Sequence, residues 1–190
     1  MSESSRPQTA TSVTATHGCT GQDGYRIRPW TPTDRDPVIE LITAIQQREF
    51  GLQITTADQP DLIDVQANYR EPGGEFWVAT RGPGVVGTIA AINIGNGEIA
   101  LRKLFVATAH RGGRPSLATR LISRLLDWAA DREVGDIYLG TTSRMHAAHR
   151  FYERHGFIGI DKRQLPGSFP VMAVDSRFYR LRLRNREAHP

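Results

Sequence analysis

A turn rich in arginine and glycine carries the clearest potential for chemistry in this chain. Arg111, Gly112, Gly113 and Arg114 follow a run of β-type residues and stand directly before an amphipathic segment that begins near Pro115. The first turn of a helix has unpaired N–H groups and the positive end of the helix dipole, and glycines before it let a phosphate approach the backbone. Arginines at the same place add charged donors. This anion turn, residues 111–114, predicts a phosphate site, although an ordinary strand-to-helix connection in a basic protein would have the same pattern.

The residues that suggest metal or thiol chemistry have simpler interpretations. His146 and His149 lie three positions apart on one predicted helix, which suits a pair of metal ligands. No carboxylate or third histidine is placed to complete such a site, so we interpret the pair as a solvated helix face and expect no metal. Cys19 is the only cysteine and stands in a polar stretch, so it forms no internal disulfide.

The elements that position the anion turn follow from the spacing of apolar residues. Alternation at every second residue predicts strands, and spacings of three and four predict helices. The predicted segments are strand 25–30, helix 37–48, helix 61–69, strands 75–80, 84–94 and 98–107, helix 115–132, strand 136–142, helix 143–155, strand 157–160 and strand 173–183. This order indicates an α+β fold with a mixed, mostly antiparallel sheet of about seven strands flanked by about four helices.

Length and composition agree with one domain of ordinary size. The 190 residues are 39% hydrophobic, which is enough for a single core. The chain has no run of about twenty apolar residues, and its first stretch lacks the apolar block of a secretory signal. We therefore expect a cytoplasmic protein with no membrane partner, made of a disordered leader at 1–23, a domain at 24–184 and a tail at 185–190.

The charge distribution leaves two classes of partner open. A net charge of +4 suits a nucleic-acid binder and equally an enzyme that holds an anionic cofactor. Near the C-terminus Arg180, Arg182 and Arg184 alternate with leucines, which predicts an edge or half-exposed strand with solvated arginines. Such an edge could pair with a second copy, so a homodimer is one expectation. Strands that bind RNA interleave stacking aromatics with basic residues, a pattern that this chain lacks, so we expect no nucleic acid.

The anion turn and its neighbours resemble the acetyl-CoA-binding signature of the GNAT superfamily of acetyltransferases. Residues 100–126 match its strand, turn and helix, with Arg111 at the Arg or Gln position that opens the motif. The two small positions of the family pattern hold Arg114 and Ser116 here. Pro115 between them has no N–H, and we expect the Arg114 guanidinium to replace that donor in part.

A second stretch resembles the other recurring GNAT signature. In AAHRFYERHGF, residues 147–157, Ala148 and Tyr152 stand at the family positions, while Met145 stands where relatives often have Asn. Without this resemblance, Tyr152 would be interpreted as a core tyrosine. The two signatures at their observed separation are more specific than either one, and the resemblance extends over about residues 25–183.

The resemblance implies a set of site residues. Tyr152 would be the general acid that protonates the departing thiolate, and the backbone of the central strand would bind the pantetheine arm and the oxyanion. The implied acetyl-CoA contacts are Leu104, Phe105, Val106, Arg111, Gly112, Gly113, Arg114, Ser116, Leu117, Ala118 and Ala148. Relatives often carry a glutamate base at the position of Ala100. The nearest carboxylate on that strand face is Glu98, which is either a weak candidate base or a solvated residue at the end of the strand. A chain of water molecules could act as the base instead.

Together these features predict an acetyl-CoA-dependent N-acetyltransferase. Its acceptor would be the primary amine of a small molecule, a peptide or a protein. A non-catalytic acyl-CoA sensor of the same fold is the alternative.

Overall fold

The fold is built on a single open sheet, seen in a computed structural model that describes residues 24–143 and 145–183. The strands are β1 Tyr25–Pro29, β2 Glu75–Arg81, β3 Gly84–Gly95, β4 Glu98–Val106, β5 Asp136–Thr141, β6 Ile158–Ile160 and β7 Arg177–Arg182. Within the described residues these seven strands lie in the order β1-β2-β3-β4-β5-β7-β6, with β4 and β5 parallel and the other neighbours antiparallel. The predicted fold class is confirmed.

Four α-helices pack on the sheet in the part of the chain that the structure describes. They are α1 Arg35–Phe50, α2 Pro60–Ile63, α3 Leu117–Ala130 and α4 His146–Arg154. None of them is long and apolar enough to cross a bilayer. The predicted leader with Cys19, the tail and Arg184 lie outside the described residues.

All four predicted helices have different bounds in the structure, and two of these differences have a local cause. The helix predicted at 61–69 is divided into α2 and a π-helical turn at Gln66–Arg70, because Asp64 leaves the helical region with φ −128° and ψ 79°. The helix predicted from Pro115 begins at Leu117, because the Ser116 side chain caps it by accepting a hydrogen bond from the Thr119 N–H. Pro115 therefore precedes the helix and removes no donor from its first turn.

The prediction of an edge strand at the C-terminus is wrong. Strand β7 lies between β5 and β6, so the argument for a homodimer through this edge does not hold. Arg180 is not a solvated residue either: its guanidinium donates two hydrogen bonds of 2.8 Å to the Asp136 carboxylate.

Two core layers cover the sheet. On the α3 face, α3 and α4 bury Leu121, Leu125 and Trp128 against strand residues such as Trp77. On the α1 face, α1 and α2 pack against alternate residues of the same strands, including Phe76. The amphipathic segment predicted after Pro115 thus buries its apolar face against the sheet.

A nearly buried ion pair joins β1 to the start of α1. Asp34, whose side chain is 6% exposed, accepts hydrogen bonds from Arg28 at 2.6 and 2.8 Å and from the Thr31 backbone N–H and hydroxyl at 2.8 Å each. Burial raises the pKa of the Asp34 carboxyl, but the donors of Arg28 and Thr31 outweigh it, so the pKa lies below its ordinary value. The folded state thus favours the ionised carboxylate.

We expect Asp34→Asn to lower the free energy of unfolding by about 2–4 kcal/mol at neutral pH, because it leaves the Arg28 charge without its partner. Since the folded pKa is depressed, this stability is present above the unfolded pKa of about 4 and is lost as the pH falls through the lower folded value. Denaturant unfolding at several pH values should show the gap between wild type and variant narrowing below about pH 4.

Asp36→Asn is the matched control, because Asp36 is 81% exposed and pairs only with Arg35. It should change stability by less than about 0.5 kcal/mol. A gap between wild type and Asp34→Asn that stays constant down to pH 2 would contradict the assigned role of the ion pair.

Candidate active site

The central feature of the site is a gap between the two parallel strands. Strands β4 and β5 pair only at Glu98–Asp136, Ile99–Ile137 and Ala100–Tyr138. From Leu101 and Leu139 onward they separate, while β4 stays paired to β3 and β5 stays paired to β7. The edge of β4 that faces β5 therefore has no strand partner over its second half within the described residues. Leu104, Phe105 and Val106, predicted to bind the cofactor through their backbone, lie on this half of β4.

A β-bulge in β4 shapes this gap. Thr88 pairs with Phe105 and Ala90 with Arg102, so Ile89 of β3 faces two residues of β4. Lys103, one of those two, has a positive φ of 53°, and its carbonyl accepts a hydrogen bond of 2.7 Å from the buried Thr88 hydroxyl.

The bulge changes which face each later side chain meets. Strict alternation would put Leu104 on the same face as Arg102. In the structure Leu104 packs instead on the α3 face and Phe105 on the α1 face. A bulge next to a site commonly re-aims side chains in this way.

The anion turn lines a depression of about 670 Å³ at the N-terminus of α3. Gly112 and Gly113 have φ values of 101° and 77°, a conformation that non-glycine residues rarely adopt. Of the predicted cofactor residues, five line this depression: Arg111, Gly112, Gly113, Arg114 and Leu117. Ser116 caps the helix, and Ala118 and Ala148 pack at the border of the α3-face core.

The two arginines of the turn have different surroundings. Arg111 donates two hydrogen bonds of 2.7 Å to Glu49 on α1 and a third of 2.9 Å, from Nε, to the Val106 carbonyl. It thereby ties the turn to α1, and its donors hold the pKa of Glu49 below the ordinary value. Arg114 is exposed and makes no ion pair with any described residue. The structure thus leaves Arg114 as the cation of the turn that is ready to meet an anion.

Sequence reasoning missed three residues with polar side chains that line the same depression: Tyr25, His110 and Arg120. The Tyr25 hydroxyl lies 3.0 Å from His110 Nδ1. The Arg120 guanidinium lies 5.7 Å from the Tyr25 ring centroid and donates to the Tyr25 carbonyl. Arg120 falls on the polar side of the α3 pattern, but no motif connects Tyr25 with the turn.

Tyr152 occupies the α3 face beside the gap. It belongs to the same buried cluster as Leu101 and Leu139, the residues at which β4 and β5 begin to separate, and its ring contacts Phe157 and Tyr179. Its hydroxyl has no hydrogen-bond partner among the residues described. Burial raises the pKa of the Tyr152 phenol above its ordinary value, so it stays protonated at neutral pH.

The candidate base Glu98 lies away from the gap. It is the first residue of β4 and pairs with Asp136 at the closed end of the parallel pair. Its carboxylate accepts a hydrogen bond of 3.3 Å from the Tyr138 hydroxyl.

The histidine pair on α4 differs from the prediction of a solvated face. His149 is buried, and its Nε2 lies 3.0 Å from the Thr142 carbonyl oxygen. The ring of His146 contacts that of His149 edge-on. His149 thus helps hold the start of α4 against the end of β5.

Charged groups line the α1 face of the gap. Lys103 is 7% exposed and pairs with Asp61 at 3.1 Å, while Tyr69 donates to the same carboxylate. Burial lowers the pKa of Lys103 even though Asp61 opposes this. Arg102 lies beside this cluster and donates a hydrogen bond of 2.9 Å to the Pro170 carbonyl.

The same face holds a carboxylate next to β5. A Cβ on Gly140 would collide with the Asp175 carboxylate, which therefore lies directly against the β5 backbone. Burial raises the pKa of Asp175, and the nearby charge of Arg102 opposes that shift. No motif predicted either Arg102 or Asp175, because both stand in stretches without a recognisable signature.

The fold as a whole has structural counterparts among solved proteins. The chain is similar to the crystal structure of an acetyltransferase of the GNAT family from Staphylococcus aureus, with a TM-score of 0.80 and 35% identity over 84% of this chain and 99% of that one. An acetyltransferase from Streptococcus agalactiae gives a TM-score of 0.79 and 30% identity over 84% of this chain and 99% of that one.

Sequence comparison gives the same family. N-acetylaspartate synthetase of Mus musculus is 34% identical over 136 residues, which are 67% of this chain and 45% of that protein. N-acetyltransferase family 8 member 2 of Rattus norvegicus is 34% identical over 104 residues, 52% of this chain and 45% of that protein. The chain spans about half the length of these curated relatives. The profile of the Acetyltransferase (GNAT) family matches residues 39–157, more than half of the chain, and this chain therefore belongs to the GNAT acetyltransferase family.

Proposed function

We propose that this protein is an acetyl-CoA-dependent N-acetyltransferase that transfers the acetyl group directly to a primary amine, with Tyr152 as general acid. The observation that carries the proposal is the gap between β4 and β5, which has the anion turn at one end and Tyr152 beside it. A pyrophosphate at the turn and a thioester in the gap would use both features at once.

In this proposal the general acid and the acceptor amine approach the thioester from opposite faces of the sheet. Tyr152 lies on the α3 face, where it can protonate the leaving sulfur, and the charged residues Arg102 and Asp175 lie on the α1 face, from which an amine can enter. The unpaired edge of β4 supplies backbone N–H groups that need no charged side chain to stabilise an oxyanion. This division explains why the general acid and the acceptor contacts occupy different elements.

The reaction balances as follows. The lone pair of the neutral amine attacks the thioester carbon, the C–N bond forms, and the C–S bond breaks. The Tyr152 proton passes to the sulfur, the extra proton on nitrogen passes to water, and the tyrosinate regains a proton from solvent. The products are an N-acetyl amide and the free thiol of CoA.

The raised pKa of Tyr152 bears directly on this role. In water a phenol of pKa about 10 is a weaker acid than a thiol of pKa about 8.5. A thiolate that forms beside the buried Tyr152 hydroxyl loses part of its hydration as well, which raises its own proton affinity. Burial therefore raises the pKa of the phenol and that of the thiol together. Proton transfer then depends on how the hydroxyl and the sulfur are placed, and less on the difference between their pKa values in water.

Thiol release is the measurement that tests this function. The purified chain should release CoA thiol from acetyl-CoA above the hydrolysis background with at least one member of an amine panel, and mass spectrometry should show an acetylated amine. The name of N-acetylaspartate synthetase makes L-aspartate a member of that panel. Tight acetyl-CoA binding without thiol release from any amine would favour an acyl-CoA-binding module instead.

A further inference from the structure

Arg102, on the α1 face of the gap, has no role in the transfer step described above and has no ionic partner among the described residues. Arg102 pairs with Ala90 of the α1-face core, which places its side chain on that face at the second residue beyond the last β4–β5 pair. It is half-buried, and no described carboxylate lies within ion-pair distance of it. A half-buried guanidinium without a counter-ion is costly unless a ligand completes it.

The neighbouring cation cannot take over this role. Lys103 is already paired with Asp61 at 3.1 Å and donates to Gln59 at 3.3 Å. Arg102 holds only the Pro170 carbonyl, through one Nη1 donor of its fork. Its remaining N–H groups match a carboxylate, which accepts two parallel hydrogen bonds from a guanidinium.

The opposite wall of the gap carries the complementary charge. The Asp175 carboxylate lies against Gly140, which pairs with Phe178. Phe178 belongs to a third buried cluster, and this cluster shares the contact residue Ile92 with the α1-face core. The positive charge of Arg102 acts to lower the pKa of Asp175, against the effect of burial. The two side chains nevertheless form no ion pair in the described part of the chain. A cation on one wall and an anion on the other leave a space for a molecule that carries both signs.

We propose that the acceptor is a small amine that also carries a carboxylate, with Arg102 binding the carboxylate and Asp175 contacting the amine. This inference rests on the proposed transfer reaction and names its substrate class. The opposed charges orient the acceptor, so its nitrogen points to the β5 side of the gap. A neutral amine or a polyamine lacks the group that Arg102 needs.

Matched pairs of acceptors test this substrate class. Thiol release is measured with four acids, each beside an amide that keeps the α-amine and carries no carboxylate. The pairs are L-aspartate with L-asparaginamide, L-glutamate with L-glutaminamide, L-phenylalanine with L-phenylalaninamide, and glycine with glycinamide. We expect the best acid to exceed its amide in kcat/KM by about tenfold or more, the size of one charge-assisted bidentate contact. Amides that react as well as their acids would overturn the inference.

Arg102 variants show whether that preference comes from this side chain. Arg102→Gln should raise KM for the acid about 10- to 100-fold, with little change in kcat, and should leave the amide unchanged. Arg102→Lys, which keeps the charge but loses the fork, should recover part of the loss. Arg35→Gln removes an exposed arginine at the start of α1. It should change neither the KM for the acid nor the KM for the amide. Equal losses for acid and amide in Arg102→Gln, with the thermal midpoint unchanged or lowered, would assign Arg102 a structural role and overturn the inference.

Calorimetry of the acid with CoA-bound protein separates this inference from the transfer reaction. Thiol release with neutral amines alone would keep the proposed function and overturn the acidic acceptor. Binding of the acid that depends on Arg102, without thiol release, would refute the transfer and keep Arg102 as a carboxylate site. Absence of both binding and release would refute both proposals.

Discussion

Replacing Tyr152 by phenylalanine should lower kcat about 100- to 10,000-fold, the range that a positioned general acid contributes, while the Kd for acetyl-CoA stays within about twofold. The Tyr152 hydroxyl has no partner among the described residues, so its removal breaks no internal hydrogen bond. The ring remains and continues to pack against Phe157 and Tyr179. The loss should therefore fall on the chemical step, measured as steady-state thiol release beside calorimetric acetyl-CoA binding.

Tyr179→Phe is the matched control for this substitution. It also removes one phenolic hydroxyl from the same buried cluster, where Tyr179 donates a hydrogen bond of 3.1 Å to Glu153. We expect its turnover to match the wild type. If kcat and affinity fall together in Tyr152→Phe, or if kcat does not fall, Tyr152 is not the general acid.

Removing the Arg114 side chain should weaken acetyl-CoA binding about 10- to 100-fold, equal to about 1.5–3 kcal/mol for hydrogen bonds to a charged group. Arg114 is the arginine of the turn that no described residue engages, whereas Arg111 is held by Glu49 and the Val106 carbonyl. Arg114→Ala therefore breaks no hydrogen bond or ion pair with a described residue. The effect should shrink at high salt, because Arg114 is exposed.

Two further variants define the result for Arg114. Arg163→Ala removes an arginine that is 89% exposed and pairs only with Asp161, so acetyl-CoA affinity should stay unchanged. Arg111→Ala should lower stability as well as affinity, because it releases the turn from α1. Unchanged acetyl-CoA binding in Arg114→Ala, measured by calorimetry at low salt, would refute the role of this guanidinium in binding the pyrophosphate.

The elements that could be predicted are those that local spacing defines. The helical spacing of Leu121 and Leu125 predicted a helix, and the alternation within β2, β3 and β4 predicted strands. Both predictions are correct, because a segment that buries one face repeats its apolar residues with the period of its own backbone. The turn residues Gly112 and Gly113 and the Gly156 that follows α4 all have positive φ, which glycine readily adopts.

The start of α3 shows how a single side chain can shift a predicted boundary. Pro115 is typical of a first helical residue. The Ser116 hydroxyl, however, accepts a hydrogen bond from the Thr119 N–H, so Ser116 is the N-cap and the helix begins at Leu117. Pro115 and Ser116 therefore connect the anion turn to α3 and do not form the first turn of the helix. Its character as a cluster of glycines and arginines is unaffected.

By itself the sequence determined the family, the element types, the anion turn and the candidate acid Tyr152, because each of these depends on residues that are close together in the chain. Only the tertiary structure decided that β7 inserts between β5 and β6, that the bulge at Lys103 redirects β4, and that Arg102 and Asp175 face one gap. Strand order and register depend on packing between distant segments, which no local period records. The acceptor side of the site therefore became visible only when those segments were brought together.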